Sequence, residues 1–331
     1  MNQDVKSGFQ ADDREGSILC DIPANPAPEG ARGGHFFTMD KVKLRYGIWP
    51  RTKGGSKGTI CLVHGRTEFI EKYYETIADF QKRGFTVATF DWRGQGGSER
   101  LISNPKLGYV DSFEDYGIDL KSFHTDILLP DCPPPYYLVG HSMGGLVSLM
   151  AAARDRLMFD RIFLSAPMLS LEGIPLSLNN MASFAEALCF SGMGSLPFGR
   201  KADQPASDKT FPGNPLTSDF QRYNRAVEVY KHRPDLEIGP PTIRWLASAF
   251  RAMARAAHPD FPERVKIPVL MLAAARDEVV STAAIEHLGL RMRSGRHAVI
   301  GASRHELFME SDFIRAQVLA AFDAFLTEQT L

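Results

Sequence analysis

Short apolar runs, each followed by a segment of helical spacing, recur along most of this chain, and that alternation limits the fold more than any other feature. Gly58–Val63 (GTICLV), Phe85–Asp91 (FTVATFD), Tyr136–Gly140 (YYLVG), Asp160–Ser165 (DRIFLS) and Ile267–Ala275 (IPVLMLAAA) read as strands covered on both faces. Between them, Glu71–Arg83 has helical spacing and stops at Gly84, Phe113–Leu129 reads as a helix ended by Pro130, and Met143–Arg154 as an Ala- and Leu-rich helix. Thr282–Leu288 reads as a short helix, Arg296–Ile300 as the last strand and Asp312–Leu326 as a closing amphipathic helix. Strand, helix, strand in repetition implies parallel pairing with right-handed crossovers, an α/β architecture. Two further strands, His35–Thr38 and Val42–Trp49, precede this series around a turn at Met39–Asp40. Residues 1–34, with PANPAPEGARGG, read as an N-terminal extension, either a mobile tail or a strap along an edge.

The alternation stops between residues 168 and 266. There, short helical stretches such as Ile243–Ala257 are separated by Gly- and Pro-rich punctuation. This segment reads as a helical cap inserted into a core made of 35–167 and 267–331. The length of 331 residues suits one core with such an insertion. Lys plus Arg (38) nearly cancels Asp plus Glu (39), so a basic nucleic-acid-binding surface is not expected. Cys20, Cys61, Cys132 and Cys189 form no C-x-x-C pair, which argues against a metal site or a disulfide framework. The polar, acidic start MNQDVKSGFQADDREG is unlike a signal peptide, and no apolar run is long enough to span a membrane. The expectation is a cytoplasmic protein, with peripheral membrane contact left open and nothing said of oligomeric state.

Gly140-His141-Ser142-Met143-Gly144 is a G-x-S-x-G match placed between a strand and a helix, the setting a nucleophile turn requires. Ser142 would stand at the tip of that turn; its bland alternative is a helix cap. A serine nucleophile needs a base, and the base an orienting acid, in the chain order Ser, acid, His. Asp277, with Glu278 as competitor, follows the strand ending at Ala275, and His305 follows the last strand. Both tips should share the sheet edge of Ser142, where open parallel sheets place their ligands. The oxyanion would be met by the backbone N–H of Met143 and, from the loop after GTICLV, of Arg66. The Arg66 side chain is a candidate contact for an anionic head group. His64 is expected to fix its loop and His141 to pack behind the turn. Asp91-Trp92-Arg93-Gly94-Gln95-Gly96-Gly97-Ser98 lacks the G-x-G-x-x-G order and a phosphate-cradling lysine, so it reads as a structural loop.

Taken together, His64-Gly65-Arg66-Thr67-Glu68, the Asp91–Ser98 loop, Gly140-His141-Ser142-Met143-Gly144-Gly145, Asp277 and His305 resemble the α/β-hydrolase family, in its lysophospholipase and monoacylglycerol lipase branch. Asn214–Asp219 (NPLTSD) and Gly239–Trp245 (GPPTIRW) look like the cap of bacterial lysophospholipases. Thr67 departs from the glycine of many lipases in this branch, and Glu68 with Lys72-Tyr73 looks closer to the lysophospholipase type. The resemblance implies a mostly parallel eight-stranded sheet, a cap after the sixth strand, no cofactor or metal, and a lipid ester as substrate. Ser142 would then form an acyl-enzyme with the help of His305 and Asp277. Apolar cap residues, Phe184, Leu188, Phe190 and Met193 above all, with Met181, Leu196 and Phe198, would line an acyl pocket. An aminopeptidase, another amidase, or an acyltransferase on the same fold is the alternative.

Overall fold

Residues 18–199 and 210–327 are described by the computed structural model. In chain order the elements are β1 (Arg32–Phe37), β2 (Lys43–Trp49), β3 (Thr59–Val63), α1 (Tyr74–Lys82), β4 (Thr86–Phe90), α2 (Phe113–Phe123), α3 (Leu129–Asp131), β5 (Tyr136–His141), α4 (Met143–Arg154) and β6 (Arg161–Ser165). Then follow α5 (Leu178–Leu188), α6 (Phe220–His232), α7 (Ile243–Ala257), α8 (Phe261–Arg264), β7 (Val269–Ala274), α9 (Thr282–Arg291), β8 (Gly295–Ile300) and α10 (Asp312–Thr327). The strands form one eight-stranded sheet in the order β1-β2-β4-β3-β5-β6-β7-β8. β2 pairs antiparallel with β1 and β4; every other pairing is parallel.

Alternation along each strand decides which helix layer a side chain meets. On β3, Cys61 and Val63 face the layer built from α2, α4, α7 and α9, while Ile60 and Leu62 face α1 and α10. Both β3 and β4 are buried at every position, which is why they carry no polar stripe. Each fully buried Leu, Ile, Val or Phe here contributes about 1.5–3 kcal/mol of transfer free energy. Parallel pairing also carries the C-terminal ends of β3, β5, β6, β7 and β8 to one edge, and the functional loops leave from that edge.

Two expectations change in detail. The helix expected over Phe113–Leu129 does not stop at Pro130. It passes from α2 through a π turn, His124–Leu128, into α3, which contains Pro130. The Leu129 N–H bonds to the His124 carbonyl five residues back, a looser register that accommodates the following proline ring and its missing N–H. The sheet begins at Arg32, inside the stretch expected as extension. Residues 1–17 of that extension and 200–209 of the insertion lie outside the described residues. The described part of the extension is a strap: Leu19 and Ile22 are buried, the Cys20 N–H donates to Glu71 (3.0 Å), and Asn25 Nδ2 donates to the Glu71 carbonyl (2.8 Å).

The segment between β6 and β7 is helical but not detached. α5 lies against α7, and α7 itself sinks Trp245, Ala249, Phe250 and Met253 into the main core. Its strongly one-sided sequence, IRWLASAFRAMARAA, gives one face to that core and the other, with Arg251 and Arg255, to solvent.

Candidate active site

The site is built where β5 ends. Ser142 follows the strand directly and adopts φ 50°, ψ −116°, a strained conformation for a residue with a Cβ. The strain is held by close packing on both sides. A Cβ on Gly140 would lie 2.8 Å from Ser148 Oγ, and one on Gly144 would lie 2.6 Å from the His64 carbonyl and 2.7 Å from that of Val63. No side chain fits at position 144, because α4 begins against the backbone that leaves β3. Met143 is the first residue of α4, so its N–H is among the first-turn donors without an intrahelical acceptor.

The loops after β7 and β8 deliver the other two groups. His305 Nε2 lies 3.0 Å from Ser142 Oγ, and His305 Nδ1 lies 2.8 Å from Asp277 Oδ2. The second carboxylate oxygen of Asp277 accepts the N–H groups of Val279 and Val280, both at 2.9 Å. Burial raises the pKa of this carboxyl, but the bonds from His305 and from those two N–H groups outweigh it and hold the pKa below its ordinary value. His305 bonds to Asp277, and no hydrogen bond joins it to Glu278, the alternative acid. The structure therefore brings Ser142, His305 and Asp277 into one hydrogen-bonded line.

His141 packs behind the turn, with its ring centroid 4.8 Å from that of His305. Its Nδ1 donates to the Ser165 carbonyl (3.0 Å), and burial pushes its pKa down to about 4, so a neutral imidazole lies against His305 at neutral pH. His64 is fully buried, with Nδ1 2.8 Å from the Gly65 carbonyl and Nε2 3.2 Å from Asp91 Oδ1. Asp91 also binds Arg45, the Gly97 N–H and the Ile70 N–H, so the glycine-rich loop is an internal brace and not a phosphate cradle.

The Gly65–Glu68 loop is pinned by its own acid. Glu68 accepts the Gly65 N–H (2.5 Å), the Tyr73 hydroxyl (2.8 Å) and Lys72 Nζ (2.7 Å). Lys72 in turn reaches Glu306 (2.6 Å), the residue after His305. Burial alone would lower the lysine pKa; the two carboxylates raise it instead. Sequence reasoning had Glu68 and Lys72 in a motif but missed Glu306. The Glu68/Lys72 spacing of four signalled half of this pairing; nothing local signalled the other half. The insertion closes on these loops through the two stretches singled out above. The Leu216 carbonyl accepts the Glu306 N–H (2.8 Å), Thr217 Oγ1 donates to Met309 O (2.6 Å), and the Gly239 carbonyl accepts from Arg66 Nη2.

A cavity of about 360 Å³ opens beside this arrangement, walled by Arg66, Lys72, Leu216, Tyr223, Tyr230, Ile238 and Glu306 among others. None of the expected acyl-pocket residues is in that wall. Phe184 is 61% exposed and Phe190 96% exposed, Leu196 and Phe198 are also exposed, and Leu188 and Met193 are half-buried. Met181 packs on the main core. An apolar sequence on a short amphipathic helix marks a face, not what covers it. Among the described residues no cluster of His, Cys, Asp and Glu could hold a metal ion, and no helix is long and apolar enough to cross a membrane.

The chain is similar to known proteins along most of its length. It is 31% identical to lysophospholipase L2 of Escherichia coli (strain K12) over 86% of this chain and 84% of that protein. A carboxyl esterase from Bacillus coagulans superposes with a TM-score of 0.71 at 20% identity, covering 89% of this chain and 97% of its own. A soluble variant of monoglyceride lipase from Saccharomyces cerevisiae gives a TM-score of 0.68 at 17% identity, over 94% of this chain and 97% of its own. Both structures share the α/β-hydrolase fold with this chain. Residues 54–312 match the family described as "Serine aminopeptidase, S33", and with that span and the likeness to lysophospholipase L2, the chain belongs to this family of α/β-hydrolases.

Proposed function

We propose that this protein is a serine hydrolase that cleaves the acyl ester of a monoacyl lipid, a lysophospholipid or a monoacylglycerol. The observation that carries the reading is the Ser142–His305–Asp277 line at 3.0 and 2.8 Å, set at the strained turn between β5 and α4. Ser142 Oγ attacks the ester carbonyl carbon as His305 Nε2 takes its proton. The N–H groups of Met143 and Arg66 receive the oxyanion. The carbon–oxygen bond to the alcohol then breaks, and His305 returns the proton to the leaving oxygen. Water enters, gives its proton to His305 and attacks the acyl carbon; a fatty acid leaves and Ser142 regains its hydrogen.

In this reading residues 168–266 act as the cap, and its exposed Phe184, Phe190, Leu196 and Phe198 offer apolar surface to a lipid. The four free cysteines suit a reducing, cytoplasmic setting. An aminopeptidase would need a free acid for the substrate ammonium. Glu306, the one carboxylate among the described residues walling the cavity, is already bonded to Lys72, and Arg66 in the same wall would repel an amine.

The test is fatty-acid release from both lipid types together with labelling by a fluorophosphonate. Ser142→Ala is expected to abolish both while leaving the far-ultraviolet spectrum and melting temperature near wild type. Turnover that survives the substitution would remove Ser142 from the mechanism.

A further inference from the structure

Among the described residues three cations wall the cavity beside the site, and two of them are neutralised. Lys72 bridges Glu68 and Glu306 at 2.7 and 2.6 Å. Arg222 is paired with Glu75, Asp219 and Asp312. Arg66 differs. Its Nη2 donates to the Gly239 carbonyl, its guanidinium lies 5.3 Å from the Trp245 ring centroid, and its Nε is buried with no hydrogen-bond partner. Among the described residues no ion pair includes it. Burial lowers its pKa to about 10, so at neutral pH it still carries its charge. A buried cation without a counter-ion is costly, and an orphaned donor adds to that cost. An anion in the cavity would supply the missing counter-charge.

The surroundings are shaped for this side chain. Gly108 stands where a Cβ would come 2.9 Å from Arg66 Nη2, so the absence of a side chain there leaves the guanidinium its place. Trp245 is itself held by a bond from Nε1 to the Tyr116 hydroxyl (3.0 Å), which gives the guanidinium plane a rigid floor. Position is equally specific. Arg66 follows Gly65, where an added Cβ would lie 3.1 Å from Ser142 Cβ. Glu306, also in the cavity wall, is next in sequence to His305, the group that protonates the leaving oxygen. Arg66 and Glu306 thus set the cavity beside Ser142 and His305, within reach of a group carried on the ester.

We propose that the Arg66 side chain, over Trp245, is the specificity-determining anchor for an anionic head group, the phosphodiester of a lysophospholipid, in the cavity beside Ser142. This rests on the ester-hydrolase reading above and deepens it. A guanidinium offers paired N–H groups that match two phosphate oxygens. A monoacylglycerol fills the same space with neutral hydroxyls and leaves the cation unpaired. The substrate is thereby sorted by charge on its leaving alcohol.

The experiment compares kcat/KM for a lysophosphatidylcholine and a monoacylglycerol of the same acyl chain, both below their aggregation thresholds, in wild type, Arg66→Gln and Arg66→Lys. The ratio of the two values is the readout, because any disturbance of the Arg66 backbone N–H touches both substrates and cancels. Arg66→Gln should lower the ratio about tenfold to a hundredfold, the range of a charge-assisted hydrogen bond, chiefly through KM. Arg66→Lys should recover part of the loss. In wild type, sn-glycerol 3-phosphate should compete with a neutral ester where glycerol does not, a measurement independent of how the variants fold. An unchanged ratio, equal inhibition by glycerol, or a wild type that hydrolyses only the monoacylglycerol overturns the anchor and leaves the hydrolase standing. No Ser142-dependent release from either lipid overturns the hydrolase reading and the anchor with it.

Discussion

An imidazole that meets a carboxylate at one nitrogen and a hydroxyl at the other has its tautomer chosen for it. Asp277 Oδ2 accepts only from an Nδ1 that carries the proton, which leaves Nε2 free to accept from Ser142. Asp277→Asn separates this electronic role from a packing role. The amide oxygen can keep the Val279 and Val280 N–H bonds, while the amide nitrogen donates to Nδ1 and drives the proton to Nε2. We expect kcat to fall by about three to four orders of magnitude with little change in melting temperature. A fall of less than tenfold would show that tautomer selection is not what Asp277 supplies. His141 shows the complementary economy at this scale: held neutral by burial, it fills the space behind His305 without adding a second positive charge.

At the scale of elements, the turn from β5 into α4 is set by contacts between backbones. Gly144→Ala would force a Cβ against two carbonyls at the end of β3, neither of which can rotate away. We expect a loss of about 3 kcal/mol, the upper end of overpacking costs, read as a lower urea midpoint with unchanged slope. A shift within error would mean that α4 can slide along β3. The same scale explains what the sequence disclosed. β3 to β7 announced themselves as apolar runs because both their faces are covered, α7 because its periodicity is long and clean, and α4 because it is rich in Ala and Leu. Ser142, Asp277 and His305 were legible because each stands in the loop or turn that leaves a strand end, and strand ends are what such runs locate. What escaped depends on contacts between distant segments. Glu306 matters through Lys72, 234 residues away, and no local pattern encodes that meeting. Phe184 and Phe190 read as pocket residues, because an apolar side chain carries no mark of which neighbour covers it. The passage of a helix through Pro130 needed a π register that propensity does not reveal.

At the scale of the molecule, one carboxylate ties together parts that the sequence holds far apart. Glu75 on α1 binds Arg222 and Arg225 of α6, and Arg315 of α10. Burial alone would raise its pKa; these arginines lower it from 4.5 to about 2. A group depressed on folding adds stability that is complete above its unfolded pKa and is lost as pH falls through its folded one. Glu75→Gln should therefore cost about 1–3 kcal/mol at pH 7, a figure reduced for its partial exposure, and the gap to wild type should close between pH 4.5 and about 2. Denaturant melts of both proteins across that range are the check; a gap independent of pH would assign the loss to packing. The order of the chain has a consequence for its synthesis. Ser142 lies on one side of the long insertion, and Asp277 and His305 lie on the other. A chain leaving the ribosome displays its hydroxyl first and acquires the acid and the base only with its final strands. Until then the serine has neither the imidazole nor the carboxylate that the folded chain brings into line with it.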